Sequence, residues 1–285
     1  MGRLGERDSA ARQSRELAGV PNAADFSEAL ARGLAVLAAF GRERRALTQA
    51  ELARELGLSR ATVRRAVLTL HHLGYLEVDG RSYQLSPRIL RLAEGYLTSN
   101  IVSSVVQPVC ERICARLHES CTVAVLDGPH AVMVARAVPN RLISVGGGLG
   151  YRVPAARSAL GQVLLAHLGA DEAPVLEVPG LEVSGLEAAV PGLDAAAGLE
   201  APGLEVAGLG AGVLERVRAD GYSYVANDVE AGFHSLAVPL RRWDGRPVAA
   251  MNVGCNVERI PPSAMRGEVL ELLRATAAEL RPHLI

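Results

Sequence analysis

Five side chains after Ser59 could read nucleic acid, because cationic and hydroxyl groups recur there at helical spacing. They are Arg60, Thr62, Arg64, Arg65 and Thr69. A guanidinium can hold guanine O6 and N7, or a phosphate, through two parallel hydrogen bonds, and a threonine hydroxyl can reach either kind of acceptor. On a helix whose apolar side is buried, these groups form the exposed face that a helix in the major groove presents to DNA. The competing interpretation is an ordinary three-helix module with a solvated basic face.

The sequence before this segment predicts the helix and the turn that would position it. Thr48 can cap a helix over residues 49–56, and Glu51, three residues later, completes a capping box. Gly57 suits a tight turn that requires a positive φ. Ser59 can then cap the second helix of the pair.

A hairpin is predicted directly after the second helix. Two short strands within residues 75–86 flank Asp79-Gly80, a dipeptide typical of hairpin turns, and Arg81 follows at the tip like a residue of a DNA-binding wing. An amphipathic helix over residues 27–40 precedes the unit, and its apolar face comprises Leu30, Leu34, Leu37 and Ala38. These signals occur in the order of a winged helix-turn-helix, which favours DNA binding over the solvated module. The residues expected to contact DNA are Thr48, Ser59, Arg60, Thr62, Arg64, Arg65, Thr69 and Arg81.

The charge distribution favours a polyanionic partner for the first third of the chain. Residues 1–92 contain 15 Arg against 10 Asp and Glu, a balance of +5, whereas residues 93–285 have a balance of −6. The excess of positive charge therefore coincides with the predicted helix-turn-helix, as expected for a partner such as double-stranded DNA.

The remainder of the chain predicts an antiparallel α+β domain. Strand pairs alternate with helices, and the pairs turn at Asp127-Gly128 and at Asp244-Gly245. We therefore expect an α+β fold in which an N-terminal winged helix-turn-helix is joined by a linker helix to an antiparallel-sheet domain. The predicted boundaries are a disordered tail over 1–25, the DNA-binding domain over 26–86, the linker helix over 87–103 and the second domain over 104–285.

A degenerate repeat of Leu, an acidic residue, small residues and Gly occupies residues 176–209. Gly and Pro recur too often there for a stable helix, and the short period is far below that of solenoid repeats. We interpret the segment as a low-complexity insertion in the form of a surface loop, with an interaction segment as the alternative.

The four cysteines, Cys110, Cys114, Cys121 and Cys255, are too few for a disulfide framework. No signal peptide or membrane span is predicted, so we expect a cytoplasmic protein with reduced thiols. Cys110, Cys114 and His118 share one face of a predicted helix. The rise along that helix from Cys110 to His118 is about 12 Å, which is too far for both residues to bind one metal ion. Core packing is the favoured role, with redox sensing as the alternative, and no metal or other cofactor is expected.

A hydrolytic triad is the enzymatic alternative. Its members would be Ser158, Ser235, Asp228 and His234. The chain has no GxSxG nucleophile elbow, and His234 and Ser235 are adjacent on a predicted strand, so they point to opposite faces. We therefore expect no catalytic residues and no enzyme.

These motifs resemble the IclR family of bacterial transcription regulators over about residues 26–285. The segments that carry the resemblance are FSEALARGLAVLAAF, LSRATVRRAVLTLHHLGYLEVDG, YQLSPRILRLAEGYL, ESCTVAVLDG, GYSYVANDVEAGFHSLAVPL and AAMNVG. The sequence is most similar to the subgroup that controls the protocatechuate and β-ketoadipate branch of aromatic catabolism. The resemblance implies a GAF-like effector domain, homodimers or homotetramers, binding to operator DNA and no catalysis. The repeat at 176–209 departs from the family, which usually has a more regular helical segment there.

The resemblance also implies an effector pocket. Its walls are expected from the strand before the glycine loop, the helix after that loop, the last two strands and an intervening loop. The residues are Val145, Val153, Arg157, Ser158, Ala159, Leu160, Val225, Asp228, Phe233, Ser235, Asn252 and Gly254. Apolar walls with a few convergent polar groups suit a small organic ligand, although core or surface packing is the alternative for each residue.

Arg157 suggests that this ligand is an anion. We expect an aromatic carboxylate or a dicarboxylate, held by Arg157 and by backbone N–H groups of the helix that Ser158 can cap. The alternative for Arg157 is a surface ion pair with an acid such as Asp228. The alternative for the whole chain is a ligand-independent DNA-binding protein whose second domain only oligomerises.

Overall fold

The computed structural model describes residues 26–41, 44–140, 147–168, 209–210, 212–227 and 231–284. The predicted tail lies outside these residues, and so does the repeat at 176–209, here called the Leu/Gly repeat, except for Leu209. The described residues divide into two compact units, one up to Glu94 and one from Gly95 onward. No helix among them is long and apolar enough to span a membrane.

The first unit, in its described residues, combines helices with a small antiparallel sheet. The helices are α1 (Glu28–Ala38), α2 (Gln49–Glu55) and α3 (Arg60–His72), and the strands are β1 (Ala46–Thr48), β2 (Leu76–Asp79) and β3 (Ser82–Leu85), in the order β1-β3-β2. Strand β1 was not predicted, and it pairs with β3. Asp79 pairs with Ser82, so Gly80 and Arg81 form the two-residue turn of the predicted hairpin.

The buried stripe of α1 corrects the sequence prediction. Leu30 and Leu34 are 64% and 53% exposed, whereas Val36 and Phe40 are buried. Val36 and Phe40 are four residues apart and therefore share one face, which lies on the opposite side from Leu34. The helix turns this other stripe towards the core that α2, α3 and the hairpin complete.

A helical segment follows the hairpin. It consists of a 3₁₀ turn (Pro87–Ile89), α4 (Leu90–Ser99) and α5 (Ile101–Leu117). The Oδ1 atom of Asn100 accepts a hydrogen bond from the N–H of Val102 at 3.0 Å. Because this side chain caps α5, the segment interpreted as one linker helix over 87–103 divides at Asn100.

The second unit is built on a six-stranded antiparallel sheet in the order β6-β5-β4-β9-β8-β7, which confirms the predicted fold class. The strands are β4 (Ser120–Asp127), β5 (His130–Ala137), β6 (Arg152–Pro154), β7 (Ser223–Ala226), β8 (Phe233–Arg241) and β9 (Pro247–Asn256). The helices are α6 (Ala159–Ala166), α7 (Val213–Asp220), a short α8 (Pro262–Ala264) and α9 (Leu270–Leu280), with 3₁₀ turns at Ala155–Arg157 and Arg281–His283 and a π-helical turn at Met265–Val269.

The two faces of this sheet bury separate clusters. Helices α5 and α9 cover one face, and α6 and α7 cover the other. We call the second the α6 face, and its buried strand residues are Ala124, Ala131, Ala237 and Ala250. Alanine at these positions allows a helix to approach the sheet closely.

The cysteines belong to the core. All four are free and buried, and a hydrogen bond to Cys110 together with burial raises the pKa of the Cys121 thiol. His118 is exposed at the end of α5. No group of three or more His, Cys, Asp or Glu in the described parts of the chain could hold a metal ion.

Candidate DNA-binding and effector-binding sites

Helix α3 has one apolar and one basic side. It buries Val63, Val67 and Leu70. The side chains on its outer surface are Arg60, Arg64, Arg65 and Thr69, which are exposed, and Thr62, which is half-buried. No described carboxylate forms an ion pair with any of these three arginines. Their guanidinium groups are therefore available to acceptors outside the described fold.

The predicted capping box at the start of α2 is present. The Thr48 hydroxyl accepts a hydrogen bond from the N–H of Glu51 at 3.2 Å, and the Glu51 carboxylate accepts from the N–H of Thr48 at 2.8 Å. The Thr48 hydroxyl also donates to this carboxylate at 2.8 Å, and the two hydrogen bonds that the carboxylate accepts, first from the Thr48 N–H and then from its hydroxyl, lower the pKa of Glu51 from its ordinary value. Thr48, a predicted DNA contact, therefore has a structural role in the fold.

The turn between α2 and α3 is also locally determined. Gly57 has a φ of 61°, a value that favours glycine. The Ser59 hydroxyl caps α3 by accepting from the N–H of Thr62 at 3.2 Å, and it lies 2.9 Å from the Thr62 hydroxyl oxygen. Arg44, which precedes α2, forms an ion pair with Glu55 of that helix, so the positive charge of Arg44 is partly offset within the fold. Helix α3 is thus fixed at its N-terminus, which is the end that reads base edges in helix-turn-helix proteins.

The hairpin places Arg81 at its tip. Gly80 has a φ of 59°, which allows the tight two-residue turn, and Arg81 beside it is exposed.

The hydroxyl of Thr69, on α3, is partly engaged within the helix. It donates its proton to the carbonyl oxygen of Arg65 at 2.9 Å. The Thr69 oxygen remains able to accept a hydrogen bond from a partner.

Strand register brings five of the predicted effector residues to the α6 face. Val225 pairs with Ser235, and Ser235 pairs with Gly254, so these three form one cross-strand row. Phe233 and Asn252 lie two residues from members of this row and share its face. A Cβ atom on Gly254 would lie 2.7 Å from the Phe233 ring, so glycine is what allows the ring to lie over this strand.

The predicted residues around α6 fall into two groups. Ser158 caps α6 by accepting from the N–H of Gly161 at 3.0 Å, and Ala159 and Leu160 are buried in the first turn of that helix. Val153 is half-buried on β6 and packs against the same cluster. Arg157, in contrast, is exposed on the 3₁₀ turn that precedes α6. Val145 and Asp228 lie outside the described residues.

A second cross-strand row on the α6 face contains the predicted Asn252 and four residues that the sequence analysis did not select. In spatial order it contains Arg136, Thr122, Asn252, Ala237 and Ser223. Residues paired directly across strands point to the same face. Arg136 is half-buried and Thr122 is 4% exposed. Burial lowers the pKa of the Arg136 guanidinium from its ordinary value, but an arginine remains cationic in proteins.

Two of the residues considered for a triad, His234 and Ser235, are kept apart by the sheet. His234 is buried on the opposite face of the sheet from Ser235. Its Nδ1 lies 2.8 Å from the Tyr224 hydroxyl, and its Nε2 lies 3.2 Å from the Cys255 sulfur. Burial lowers the pKa of this imidazole. His234 thus links core elements and cannot activate Ser235.

Comparison with known proteins agrees with both halves of this description. Residues 29–80 match the IclR helix-turn-helix domain, and residues 94–178 and 211–281 match the C-terminal domain of bacterial IclR transcriptional regulators, which leaves most of the Leu/Gly repeat unmatched. The Pca regulon regulatory protein of Pseudomonas putida is 36% identical over 90% of this chain and 84% of its own length. The p-hydroxybenzoate hydroxylase transcriptional activator of Acinetobacter baylyi is 33% identical over 90% of this chain and 92% of its own length.

A solved structure extends the similarity to the fold. An IclR homologue from Microbacterium hydrocarbonoxydans, crystallised with 4-hydroxybenzoate, is 25% identical, with a TM-score of 0.66 over 90% of this chain and 99% of its own. Family models and relatives alike are regulators and not enzymes. The chain therefore belongs to the IclR family of bacterial transcriptional regulators, and it is a DNA-binding regulator with a separate effector domain.

Proposed function

We propose that this regulator binds operator DNA through α3 and changes its DNA affinity when a small aromatic carboxylate binds at the α6 face. One observation carries the proposal: the chain has two separate sets of polar groups, an exposed basic helix in the first unit and a row of buried or half-buried polar side chains on the α6 face in the second. The first suits phosphates and base edges, and the second suits a small ligand that must be desolvated.

The DNA site is proposed to consist of the side chains along α3 and at its two flanks. These are Ser59, Arg60, Thr62, Arg64, Arg65 and Thr69, with Arg81 contacting the backbone or minor groove and Thr48 positioning the start of α2. A helix-turn-helix reads one half-site per copy. We therefore propose that a homodimer, alone or within a homotetramer, binds a partly palindromic operator.

The ligand class is supported by the relatives. The Pseudomonas and Acinetobacter proteins are named for the pca regulon and for p-hydroxybenzoate hydroxylase, and the Microbacterium homologue holds 4-hydroxybenzoate. We propose that this protein regulates aromatic catabolism and responds to an acid of that kind. The proposed pocket uses Val153, Ser158, Ala159, Leu160, Val225, Phe233, Ser235, Asn252 and Gly254.

The test is a linked binding experiment on the full-length protein. Operator DNA is first selected from a random duplex library, and its affinity is then measured by fluorescence anisotropy with and without 4-hydroxybenzoate or protocatechuate. We expect a saturable change of about 5- to 150-fold in DNA affinity, and an equal change in ligand affinity when DNA is present, because coupling is reciprocal. DNA binding that no carboxylate changes would instead support a second domain that only oligomerises.

A further inference from the structure

We propose that Arg136, at the end of strand β5, is the side chain that holds the carboxylate of the effector. The inference deepens the proposed function and rests on it. It replaces Arg157, which the sequence suggested for this role, with an arginine that the strand register brings to the α6 face.

The placement of Arg136 depends on an irregularity in β5. Ala131 lies on the α6 face, and strict alternation from Ala131 would direct Arg136 to the opposite face. The register shifts by one residue, however, because Ala124 pairs with Met133 while Val123 pairs with Ala135. This β-bulge reverses the alternation beyond it, and Arg136 returns to the α6 face opposite Thr122.

The backbone of Arg136 is held in place by α5. The side-chain amide of Gln107 accepts from the N–H of Arg136 at 3.0 Å and donates to its carbonyl oxygen at 3.2 Å. The guanidinium lies beside the Met133 sulfur, at 3.7 Å, and donates to the carbonyl oxygen of Gly147. A half-buried arginine fixed at its backbone loses less conformational freedom when it binds a ligand than a free surface arginine does.

The neighbours of Arg136 define what it would hold. Thr122 and Asn252 follow it along the same row, and Ser235 lies on the adjoining row beside Gly254. The row thus runs from a cation at one side of the sheet to hydroxyl and amide groups towards its centre, with the Phe233 ring over Gly254. This order matches a flat acid whose carboxylate takes the guanidinium fork and whose ring carries a polar substituent on the far side.

Arg157 lies on a 3₁₀ turn that contacts the opposite end of β5 from Arg136. The 3₁₀ turn that carries it begins at Ala155, whose N–H donates to the carbonyl oxygen of Pro129, in the hairpin between β4 and β5. Arg136 lies seven residues along β5 from that hairpin, a separation of roughly 20 Å at the usual strand rise. Arg157 is also exposed, so a carboxylate there would be more fully screened by water than one beside Arg136.

The test compares two ligands of nearly the same shape, one with an anionic carboxylate and one with a neutral amide. The affinities of 4-hydroxybenzoate and 4-hydroxybenzamide for the full-length protein are measured by calorimetry in the wild type, in Arg136→Gln and in the matched control Arg157→Gln. We expect the wild type and Arg157→Gln to prefer the acid. In Arg136→Gln the affinity for the acid should fall by roughly 10- to 150-fold, the range for losing a charge-assisted hydrogen bond, while the affinity for the amide stays within a few-fold.

Arg136→Lys and operator binding provide the controls for folding. Arg136→Lys keeps the charge without the planar fork, so it should retain part of the preference for the acid, and all variants should bind operator DNA normally in the absence of ligand. An Arg136→Gln protein that binds operator and still prefers the acid as strongly as the wild type would overturn the inference while leaving the proposed function intact. A wild-type protein that binds none of the tested aromatic acids would instead overturn the proposed ligand class and the inference with it.

Discussion

Helix α3 and the α6 face, the two proposed binding surfaces, both bring polar groups together, but they do so over very different distances along the chain. The five candidate side chains of α3 lie between Arg60 and Thr69, and one buried stripe orients all of them. The polar groups of the α6 face come from separate strands, from Thr122 on β4 to Asn252 on β9, and they meet only through strand pairing. The proposed DNA site is therefore local, whereas the proposed effector site is assembled by the tertiary fold.

This difference predicts different kinds of sensitivity. Side chains on the outer surface of α3 contribute little to the core, so their removal should affect binding and not folding. The effector site should respond to packing changes that touch no ligand, because a small shift of α6 or of one strand displaces several of its walls together. Three experiments test this difference.

The largest effect is expected on α3. Arg64→Ala together with Arg65→Ala should abolish operator binding, since each bidentate base contact contributes about 1–3 kcal/mol, while the affinity for 4-hydroxybenzoate stays unchanged. Arg116→Ala, at an exposed position on α5, is the matched control for loss of positive charge. Wild-type operator affinity and salt dependence in the double variant would show that α3 is not the reading helix.

A smaller effect, on stability and effector binding, is expected where α6 contacts the preceding turn at Gly161. A Cβ atom on Gly161 would lie 2.1 Å from the Ala155 Cα atom and 2.2 Å from its carbonyl oxygen. Gly161→Ala should therefore destabilise the second unit by about 1–3 kcal/mol through overpacking and weaken effector binding. Gly33→Ala on α1 is the control, because a Cβ atom there meets nothing within 4 Å, and it should stabilise the first unit by about 0.5–1 kcal/mol. Denaturant unfolding measures the change in the free energy of unfolding for both variants. Equal changes would show that Gly161 is no more tightly packed than Gly33.

The smallest effect is expected at Thr48. Thr48→Ala should lower the free energy of unfolding by about 1 kcal/mol through loss of the cap, with Thr48→Ser close to the wild type. The capping box lowers the pKa of Glu51, so the stability that this carboxylate contributes is present at neutral pH and is lost as the pH falls below about 4.5, through the pKa of the folded state. Urea unfolding at pH 7 and pH 3 checks both statements. Unchanged stability with a large loss of operator affinity would assign Thr48 to DNA contact instead.

The same contrast explains which features the sequence predicted. Capping by Thr48, Ser59 and Ser158 depends on residues three positions away, and each cap is present. The order of the two helices and the hairpin follows from equally local signals.

Features set by distant partners were missed. The buried stripe of α1 depends on what packs against it, so Leu30 and Leu34 were assigned to the wrong side. Strand β1 is three residues long and is stabilised by pairing with β3. No local sequence pattern predicts that pairing. Arg136 was overlooked because alternation along β5 gives the correct face only as far as the bulge.

The side chain of Gln107 has a further consequence, which concerns solubility. Strand β6 pairs with β5 only from His130 to Val132, and the outer peptide groups of a strand beyond such a short neighbour form a template on which another chain can pair and aggregate. Gln107 supplies one donor and one acceptor at Arg136 and so occupies the two positions that an invading strand would use. We therefore expect this amide from a neighbouring helix to disfavour self-association at the end of the strand.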